Sequence, residues 1–346
     1  DELRKEVAKG HIAGPYTAPP LPGFKVTPRG LKEEPTKFRP ISQGNMPIGN
    51  AVNDSIPKAK HVHLARTSDI DAQIRACHAA TGSVWMAKAD IKAAYRTMPV
   101  RPEDWHLQGI KWDGLYYIDK RMSFGCRSSV DQWLRFSDAL AFTAARWGVP
   151  VLHYVDDFIF IASSEAECNE QVRRFRLICE HWGVRLKEQA DCGPAQDITI
   201  LGVQYDLTAM RRRIAPHRLD DLIALTTQAA QSNDRATWER LTGVLWYVSP
   251  CARAGRPHLQ ELSKYTNSAR KSNRRPAPDD STKRALAWWH THLQDLADHR
   301  HDDWYGQQII PHKRCAANAT MGDAGSEWGM GGHDSHSYFK APWPTH

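Results

Sequence analysis

Two adjacent carboxylates lie between apolar, β-prone runs in the segment His153-Tyr154-Val155-Asp156-Asp157-Phe158. The apolar residues on either side predict a strand, a tight turn and a second strand, with both acids at the tip. Two like charges side by side in such a hairpin are unfavourable unless a cation lies beside them. A third acid, Asp90, ends another β-like run and would complete a set of oxygen ligands suited to magnesium. Taken alone, an Asp-Asp pair is also common in ordinary β-turns.

Several further segments resemble motifs of reverse transcriptases, and they occur in that family's order. The first palm motif is matched by Asp90-Ile91-Lys92-Ala93-Ala94-Tyr95, the second by Tyr154-Val155-Asp156-Asp157, the fingers motif by Lys37-Phe38-Arg39-Pro40-Ile41-Ser42 with Val52-Asn53-Asp54, the template and nucleotide turn by Phe124-Gly125-Cys126-Arg127-Ser128-Ser129, and the primer-grip hairpin by Leu201-Gly202-Val203. The resemblance covers roughly residues 10 to 260, and the residues around the motifs are most similar to those of LTR-like and DIRS-type retrotransposon polymerases.

This resemblance implies an α+β fold of the right-hand polymerase type, with fingers, palm and thumb. It places the fingers and palm in residues 1–210, a helical thumb in 211–266, a linker and connection in 267–310, and a truncated RNase H-like start in 311–346. The first acid of that last region would be Asp323. Because the acids that would partner Asp323 do not follow before His346, we expect a longer parent polypeptide and no RNA-strand cleavage from this chain.

Helical periodicity predicts helices over residues 67–80, 129–147, 165–182, 216–231, 237–249 and 257–265, and a further helix through Leu286 and Leu293. An Asp-Gly turn followed by an aromatic strand predicts a hairpin over Trp112–Ile118. Strands interrupted by helices of this kind are typical of an α+β palm.

The implied activity is RNA-directed DNA polymerisation, in which a primer 3′-hydroxyl attacks a deoxynucleotide with the help of two Mg²⁺ ions, or Mn²⁺ in their place. Asp90 and Asp156 would bind both ions, with Asp157 in a supporting role. Nucleotide contacts are implied for Lys37, Arg39, Tyr95, Phe124 and Gly125. In this scheme an aromatic face at Tyr95 excludes a 2′-hydroxyl and so selects deoxynucleotides, which disfavours an RNA polymerase.

Each assignment has a structural alternative that the residues leave open. Tyr95 would otherwise be a core tyrosine, Lys37 and Arg39 a solvated strand face, and Gly125 an ordinary turn glycine. One departure from the family pattern concerns the lysine expected just before Gly193-Pro194, because the nearest candidate, Lys187, is several positions upstream. A domesticated, non-catalytic module that binds RNA or protein is therefore the alternative function.

The chain of 346 residues has a net charge of +7, and residues 211–275 hold 13 Lys or Arg against 5 Asp or Glu. This stretch predicts a surface that binds nucleic-acid phosphates, although a solvated face or a nuclear-localisation segment at 270–275 has the same composition. The expected partners are an RNA template, a DNA primer or hybrid duplex, and dNTPs. The expected contacts are Arg211, Arg212, Arg213, Arg253, Arg256, Lys264, Arg270 and Lys271.

Seven scattered cysteines without a C-x-x-C pair predict reduced thiols and an intracellular protein, nuclear or cytoplasmic. No apolar run approaches the length of a membrane span, and the charged first residues do not resemble a signal peptide.

Overall fold

The computed structural model describes residues 2–34, 37–57, 64–187, 192–232, 234–271, 277–299, 307–309, 321–325, 329–333 and 338–341. For residues 31–40, 269–271 and those after 320, this description covers the backbone only. The chain divides into two compact units, residues 1–201 and 202–346. The finer division into four domains stays a prediction.

The first unit contains five α-helices and ten strands within its described residues. Its helices are α1 (Glu2–Ala8), α2 (Thr67–Thr81), α3 (Ala94–Thr97), α4 (Ser128–Arg146) and α5 (Glu165–His181). Its strands are β1 (Ile12–Tyr16), β2 (Arg29–Glu34), β3 (Lys37–Ser42), β4 (Trp85–Asp90), β5 (Gly109–Trp112), β6 (Leu115–Asp119), β7 (Leu152–Tyr154), β8 (Asp157–Ala162), β9 (Cys192–Ala195) and β10 (Asp197–Ile200).

The centre of this unit is an antiparallel sheet with strand order β7-β8-β4-β9. Strand β8 is apolar on both faces because both faces are covered. Phe158 and Phe160 pack into a core with Trp133 of α4 and Phe175 of α5, whereas the alternate residues face the side where α2 contacts the strand. This arrangement gives a helix-covered sheet of the predicted α+β class.

Helix α5 shows how the sequence sets element boundaries. The Ser164 side chain accepts a hydrogen bond from the Glu167 backbone N–H, and the Glu167 carboxylate accepts one from the Ser163 N–H. The first bond satisfies a donor that the first helical turn leaves unpaired, and the second holds the residue before the cap. Gly183, with φ of 69°, follows the last turn. The helix predicted over 165–182 is confirmed.

Other strands of this unit form two smaller sheets among its described residues. Strands β1, β6 and β5 form one antiparallel sheet in that order, and β2 pairs with β3 as a hairpin. The predicted hairpin at Trp112–Ile118 is confirmed as β5 and β6. Its turn residues Asp113 and Gly114 both have positive φ, as a two-residue turn between twisted strands requires.

The second unit is mainly helical among its described residues. Its helices are α6 (Pro216–Gln231), α7 (Arg235–Val248), α8 (Arg256–Lys271) and α9 (Asp280–Asp298), and its strands are β11 (Val203–Asp206), β12 (Arg211–Ile214), β13 (Gln307–Gln308), β14 (Met321–Gly325), β15 (Gly329–His333) and β16 (Tyr338–Ala341). Helix α9 packs on α6 and α8, and α7 packs on α8, around fully buried Trp238, Leu245 and Trp289. The helices predicted over 216–231, 237–249 and 257–265, and the one through Leu286 and Leu293, are therefore confirmed.

Strands β14, β15 and β16 form an antiparallel sheet, so the strand expected near Asp323 is present. The RNase H-like character of this segment stays a prediction. Every helix in the described part of the chain is too short or too polar to traverse a bilayer.

Candidate active site

The three aspartates singled out in the sequence meet at one end of the central sheet. Asp90 is the last residue of β4 and Asp157 is the first residue of β8, and the two are directly opposite each other in the antiparallel register. Asp156 occupies the second position of the two-residue turn that joins β7 to β8. The predicted strand-turn-strand is therefore confirmed, and antiparallel pairing closes the long sequence gap between Asp90 and the turn.

This turn has an unusual backbone conformation, which two hydrogen bonds stabilise. Val155 has a φ of 54°, which a β-branched residue rarely adopts, and its carbonyl accepts a 2.8 Å bond from the indole N–H of fully buried Trp133. The Asp156 carbonyl accepts a 2.9 Å bond from the Ile91 N–H, immediately after Asp90. Conformations of this type persist only where surrounding contacts fix them, and both carbonyls here are fixed.

Burial and mutual repulsion characterise the carboxylates. Burial raises the pKa of Asp156, and the nearby Asp90 and Asp157 raise it further. Burial also raises the pKa of Asp157, against an opposing effect of Lys88, whose ammonium lies 3.2 Å from it. Lys187 lies 2.6 Å from an Asp90 oxygen. The two lysines therefore neutralise only part of the negative charge of the three acids. The repulsion from neighbouring carboxylates is clearest at Asp156.

The three aspartates have the chemistry that a divalent ion requires. Their carboxylate oxygens lie at one end of the central sheet and carry excess negative charge. As the side chains stand, no three His, Cys, Asp or Glu residues among those described surround a point suited to a metal. Lys88 and Lys187 contact oxygens of Asp157 and Asp90, so an incoming ion would compete with these ammonium groups. Lys187 is the upstream lysine noted in the sequence, and it contacts Asp90 although it does not immediately precede Gly193-Pro194.

Tyr95 and Phe124 form an aromatic pair near these acids. Their ring centroids are 4.9 Å apart with an interplanar angle of 72°, an edge-to-face contact. Tyr95 lies in the short helix α3, which begins after Ala93 turns the chain with a φ of 54°. Burial raises the pKa of Tyr95, and the charge of Asp156 raises it further, which places the phenol within electrostatic reach of the acids.

The turn after Phe124 is pressed against the end of β3. Gly125 has a φ of 99°, and a Cβ built there would overlap the Ser42 carbonyl oxygen, so only glycine permits this approach. The Ser42 N–H donates to the Phe124 carbonyl at 3.2 Å. Asn53, 4% exposed, bonds to both the Gly125 carbonyl and the Arg127 N–H. The sequence placed Asn53 in a motif but gave it no role.

Lys37 and Arg39 lie at alternate positions of β3, which pairs with β2. Their side chains lie outside the described residues, so their predicted triphosphate contacts stay a prediction. The side chains of Arg270, Lys271 and Asp323 lie outside them as well.

The basic residues of the second unit differ in their surroundings. Arg253 and Arg256 are exposed, and Lys264 is exposed and lies 2.6 Å from Glu261. On β12 the burial alternates: Arg211 and Arg213 are partly exposed, whereas Arg212 is 3% exposed and donates to the Pro250 carbonyl. Arg212 was expected at a phosphate-binding surface, but its guanidinium is enclosed within the protein, because alternate residues of a strand face opposite sides.

Solved structures similar to this chain include those of foamy viral protease-reverse transcriptases. One, in complex with double-stranded DNA, has a TM-score of 0.59 at 13% identity over 85% of this chain and 47% of that chain. Another, also with double-stranded DNA, has a TM-score of 0.59 at 13% identity over 99% and 65%. A third, with an RNA/DNA hybrid, has a TM-score of 0.56 at 13% identity over 84% and 36%. The chain thus spans less than two thirds of these proteins, and the likeness shows the polymerase fold.

No curated protein matches the chain. A family model described as "Reverse transcriptase (RNA-dependent DNA polymerase)" matches residues 30–205, just over half of the chain, and includes all three aspartates and the aromatic pair. On this match, the chain belongs to the reverse transcriptase family.

Proposed function

We propose that this protein is an RNA-directed DNA polymerase that adds deoxynucleotides to a primer 3′-hydroxyl. The observation that carries the proposal is the pairing of Asp90 with Asp157 beside the turn that holds Asp156. Three carboxylates at one edge, two of them with raised pKa values, are disfavoured unless a cationic partner binds there.

In this proposal Asp90 and Asp156 would hold two Mg²⁺ ions, with Asp157 in a supporting role once an ion displaces Lys88 from it. When bound, the ions lower the pKa of the primer hydroxyl and neutralise charge on the triphosphate. The protein's own part is to fix the carboxylates: Trp133 and Ile91 hold the backbone of the turn, and β4 holds Asp90. Fixed charges of this kind need no reorganisation during the reaction.

Tyr95 selects the sugar in this scheme. Its ring is held edge-to-face by Phe124, and it lies close enough to Asp156 to sense that charge, so a nucleotide bound at the acids would place its sugar near the phenol ring. A 2′-hydroxyl would then meet the aromatic face. Gly125 permits the Phe124 turn to approach β3 closely, which keeps the ring pair next to the fingers.

The partners that we propose are an RNA template, a DNA primer or hybrid duplex, and dNTPs. Exposed Arg253 and Arg256 of the second unit are suited to binding the phosphates of a nucleic acid, and such contacts do not depend on the base sequence. Affinity for a duplex should therefore fall steeply with salt. We further propose that the source is an LTR-like or DIRS-type element and that residues 311–346 begin an RNase H-like domain.

The test is extension of a DNA primer on an RNA template with Mg²⁺ and dNTPs, comparing the wild type with Asp156→Asn. Asp280→Asn, on an exposed position of α9, is the matched control for the loss of one carboxylate. We expect extension by the wild type and the control, and none by Asp156→Asn. Extension by Asp156→Asn would remove the acids from the mechanism.

Tyr95→Ala provides a second readout, because incorporation of ribonucleotides should rise relative to deoxynucleotides. A wild type that folds and binds RNA but extends no primer would support the non-catalytic module instead.

A further inference from the structure

Four charged side chains from four different elements form one ion cluster beside the Tyr95 helix. Arg96 donates to the Glu6 carboxylate at 2.7 and 2.9 Å and to the Asp119 carboxylate at 2.7 and 2.9 Å. Arg29 donates to Asp119 at 2.9 Å. These residues belong to α1, β2, α3 and β6, and we call them the Arg96 cluster.

The Arg96 cluster is enclosed and fully paired. The Asp119 side chain is 3% exposed, and those of Glu6 and Arg96 are 14% and 16% exposed. Burial alone would raise the pKa of Glu6, but hydrogen bonds from Lys9, His11 and Arg96 lower it to about 2. Removing one member of such a group leaves the remaining buried charges with fewer partners, which is unfavourable. The cluster therefore has one well-defined arrangement.

Arg96 connects this cluster to both halves of the aromatic pair. It follows Tyr95 directly in the short helix α3, so its position fixes the turn that carries the phenol ring. Its guanidinium also lies 3.4 Å and 3.5 Å from the carbonyls of Arg121 and Met122, which lead into Phe124.

Backbone contacts tighten the same connection. The Met122 N–H donates to the Met98 carbonyl at 3.0 Å, and the Arg121 side chain donates to the Thr97 carbonyl at 2.9 Å. The segment that ends at Phe124 is thus bound to the end of α3 at several points, with Arg96 at the centre.

We propose that Arg96 is a positioning residue for sugar selection, which holds Tyr95 and Phe124 in register, and that Glu6 of the N-terminal helix is its outer anchor. The inference rests on the proposed polymerase function and on the role of Tyr95 in it. Arg96 touches neither nucleotide nor metal in this scheme, and it acts through the ring pair. Its planar fork serves two carboxylates at once, which a lysine ammonium cannot reproduce.

The experiment compares Glu6→Gln, Arg96→Gln and Arg96→Lys with the wild type. The matched control is Glu170→Gln, because the Glu170 carboxylate is also ion-paired, with Arg173 and Arg174, but lies on the exposed face of α5. Discrimination against ribonucleotides should fall by about tenfold in Glu6→Gln and Arg96→Gln, a size typical of coupling within one hydrogen-bonded network. The KM for dNTPs should rise more than kcat falls, Arg96→Lys should restore part of the discrimination, and Glu170→Gln should match the wild type.

A double-variant cycle separates positioning from general destabilisation. If Glu6 acts through the ring pair, Glu6→Gln should not change discrimination further in a Tyr95→Ala background. Additive effects of the two changes would overturn the proposal.

A measurement without catalysis keeps the test independent of the polymerase assignment. With 3-fluorotyrosine at position 95, the ¹⁹F spectrum should show one sharp resonance in the wild type and Glu170→Gln, and a shifted or broadened one in Glu6→Gln. Failure of the wild type to extend primers would defeat the proposed function while leaving this spectrum to report on the cluster. An unchanged resonance in Glu6→Gln refutes the positioning role; because Glu6→Gln keeps the side-chain size, it serves even where Arg96→Gln fails to fold.

Discussion

Replacing Asn53 with aspartate tests how the segment after β3 holds the Phe124 turn. The Asn53 amide nitrogen donates to the Asn45 side-chain oxygen and to the Gly125 carbonyl, each at 2.8 Å, and its oxygen accepts from the Arg127 N–H at 2.8 Å. The backbone partners fix which side-chain atom is nitrogen and which is oxygen. The introduced carboxylate would keep the bond from Arg127, but its second oxygen would face two acceptors.

The magnitude follows from these contacts, because asparagine and aspartate have the same shape and no cavity forms. Two donated bonds are lost in a site that is 4% exposed. A buried polar group left unsatisfied costs about 1–3 kcal/mol, so we expect a loss of about 2–6 kcal/mol in the free energy of unfolding. At about 2–4 °C per kcal/mol for a unit of this size, the Tm should fall by roughly 4–24 °C.

Thermal unfolding by calorimetry, together with the KM for dNTPs, measures both consequences. Asn50→Asp is the matched control, since Asn50 is exposed three residues before Asn53 and the change adds the same charge. The introduced carboxyl should have a raised pKa, and its protonated form can donate one bond, so the deficit should shrink as the pH falls. A Tm for Asn53→Asp within about 2 °C of the Asn50→Asp value, the effect of a single kcal/mol, would show that the amide does not clamp the turn.

Three further predictions concern the backbone, the charges and the thiols. Gly125→Ala should lower the Tm and reduce dNTP affinity, because its Cβ would overlap the Ser42 carbonyl; wild-type values for both would refute the close approach. Burial and neighbouring acids raise the pKa of Asp156, so stability is greatest with the protonated form and is lost as the pH rises through the raised value. Asp156→Asn should therefore raise the Tm of the metal-free protein at pH 7, with a gain that shrinks as the pH approaches the ordinary aspartate value of 3.8, and a lower Tm at pH 7 would contradict this sign. Iodoacetamide should label exposed Cys192 before Cys168, because burial raises the pKa of the Cys168 thiol to about 12; mass spectrometry of peptides from partly labelled native protein would show the order.

The sequence was sufficient for features that depend on local pattern. Apolar runs on both sides of Asp156 specify the hairpin, and helical spacing specifies α4 and α5 to within a residue or two. The meeting of Asp90 with that hairpin followed from the family resemblance, because nothing local joins residues so far apart in the chain.

Features that depend on long-range pairing were not predicted. Glu6 and Arg96 are 90 positions apart, and no periodicity relates them. The sequence pattern predicts only a strand at Lys88, although its place two residues before Asp90 puts both side chains on one face. Composition alone predicts the same phosphate-binding role for Arg212 as for Arg211 and Arg213, because it carries no information on which face of a strand a residue occupies. The alternation of side chains along Arg211–Ile214, taken as a strand, would have predicted that Arg212 faces the same side as the apolar Ile214.

The pairing of Asp90 with Asp157 has a consequence for which length changes the protein can accept. An insertion or deletion of one residue within β4 or β8 would send every following side chain to the opposite face. The intervening polypeptide is under no such restriction, because loops can lengthen at small entropic expense. Insertions and deletions that the protein tolerates, in natural variants or in an insertion scan, should therefore lie outside these two strands. The lengths of β4 and β8 stay constant, whereas the intervals between motifs can vary.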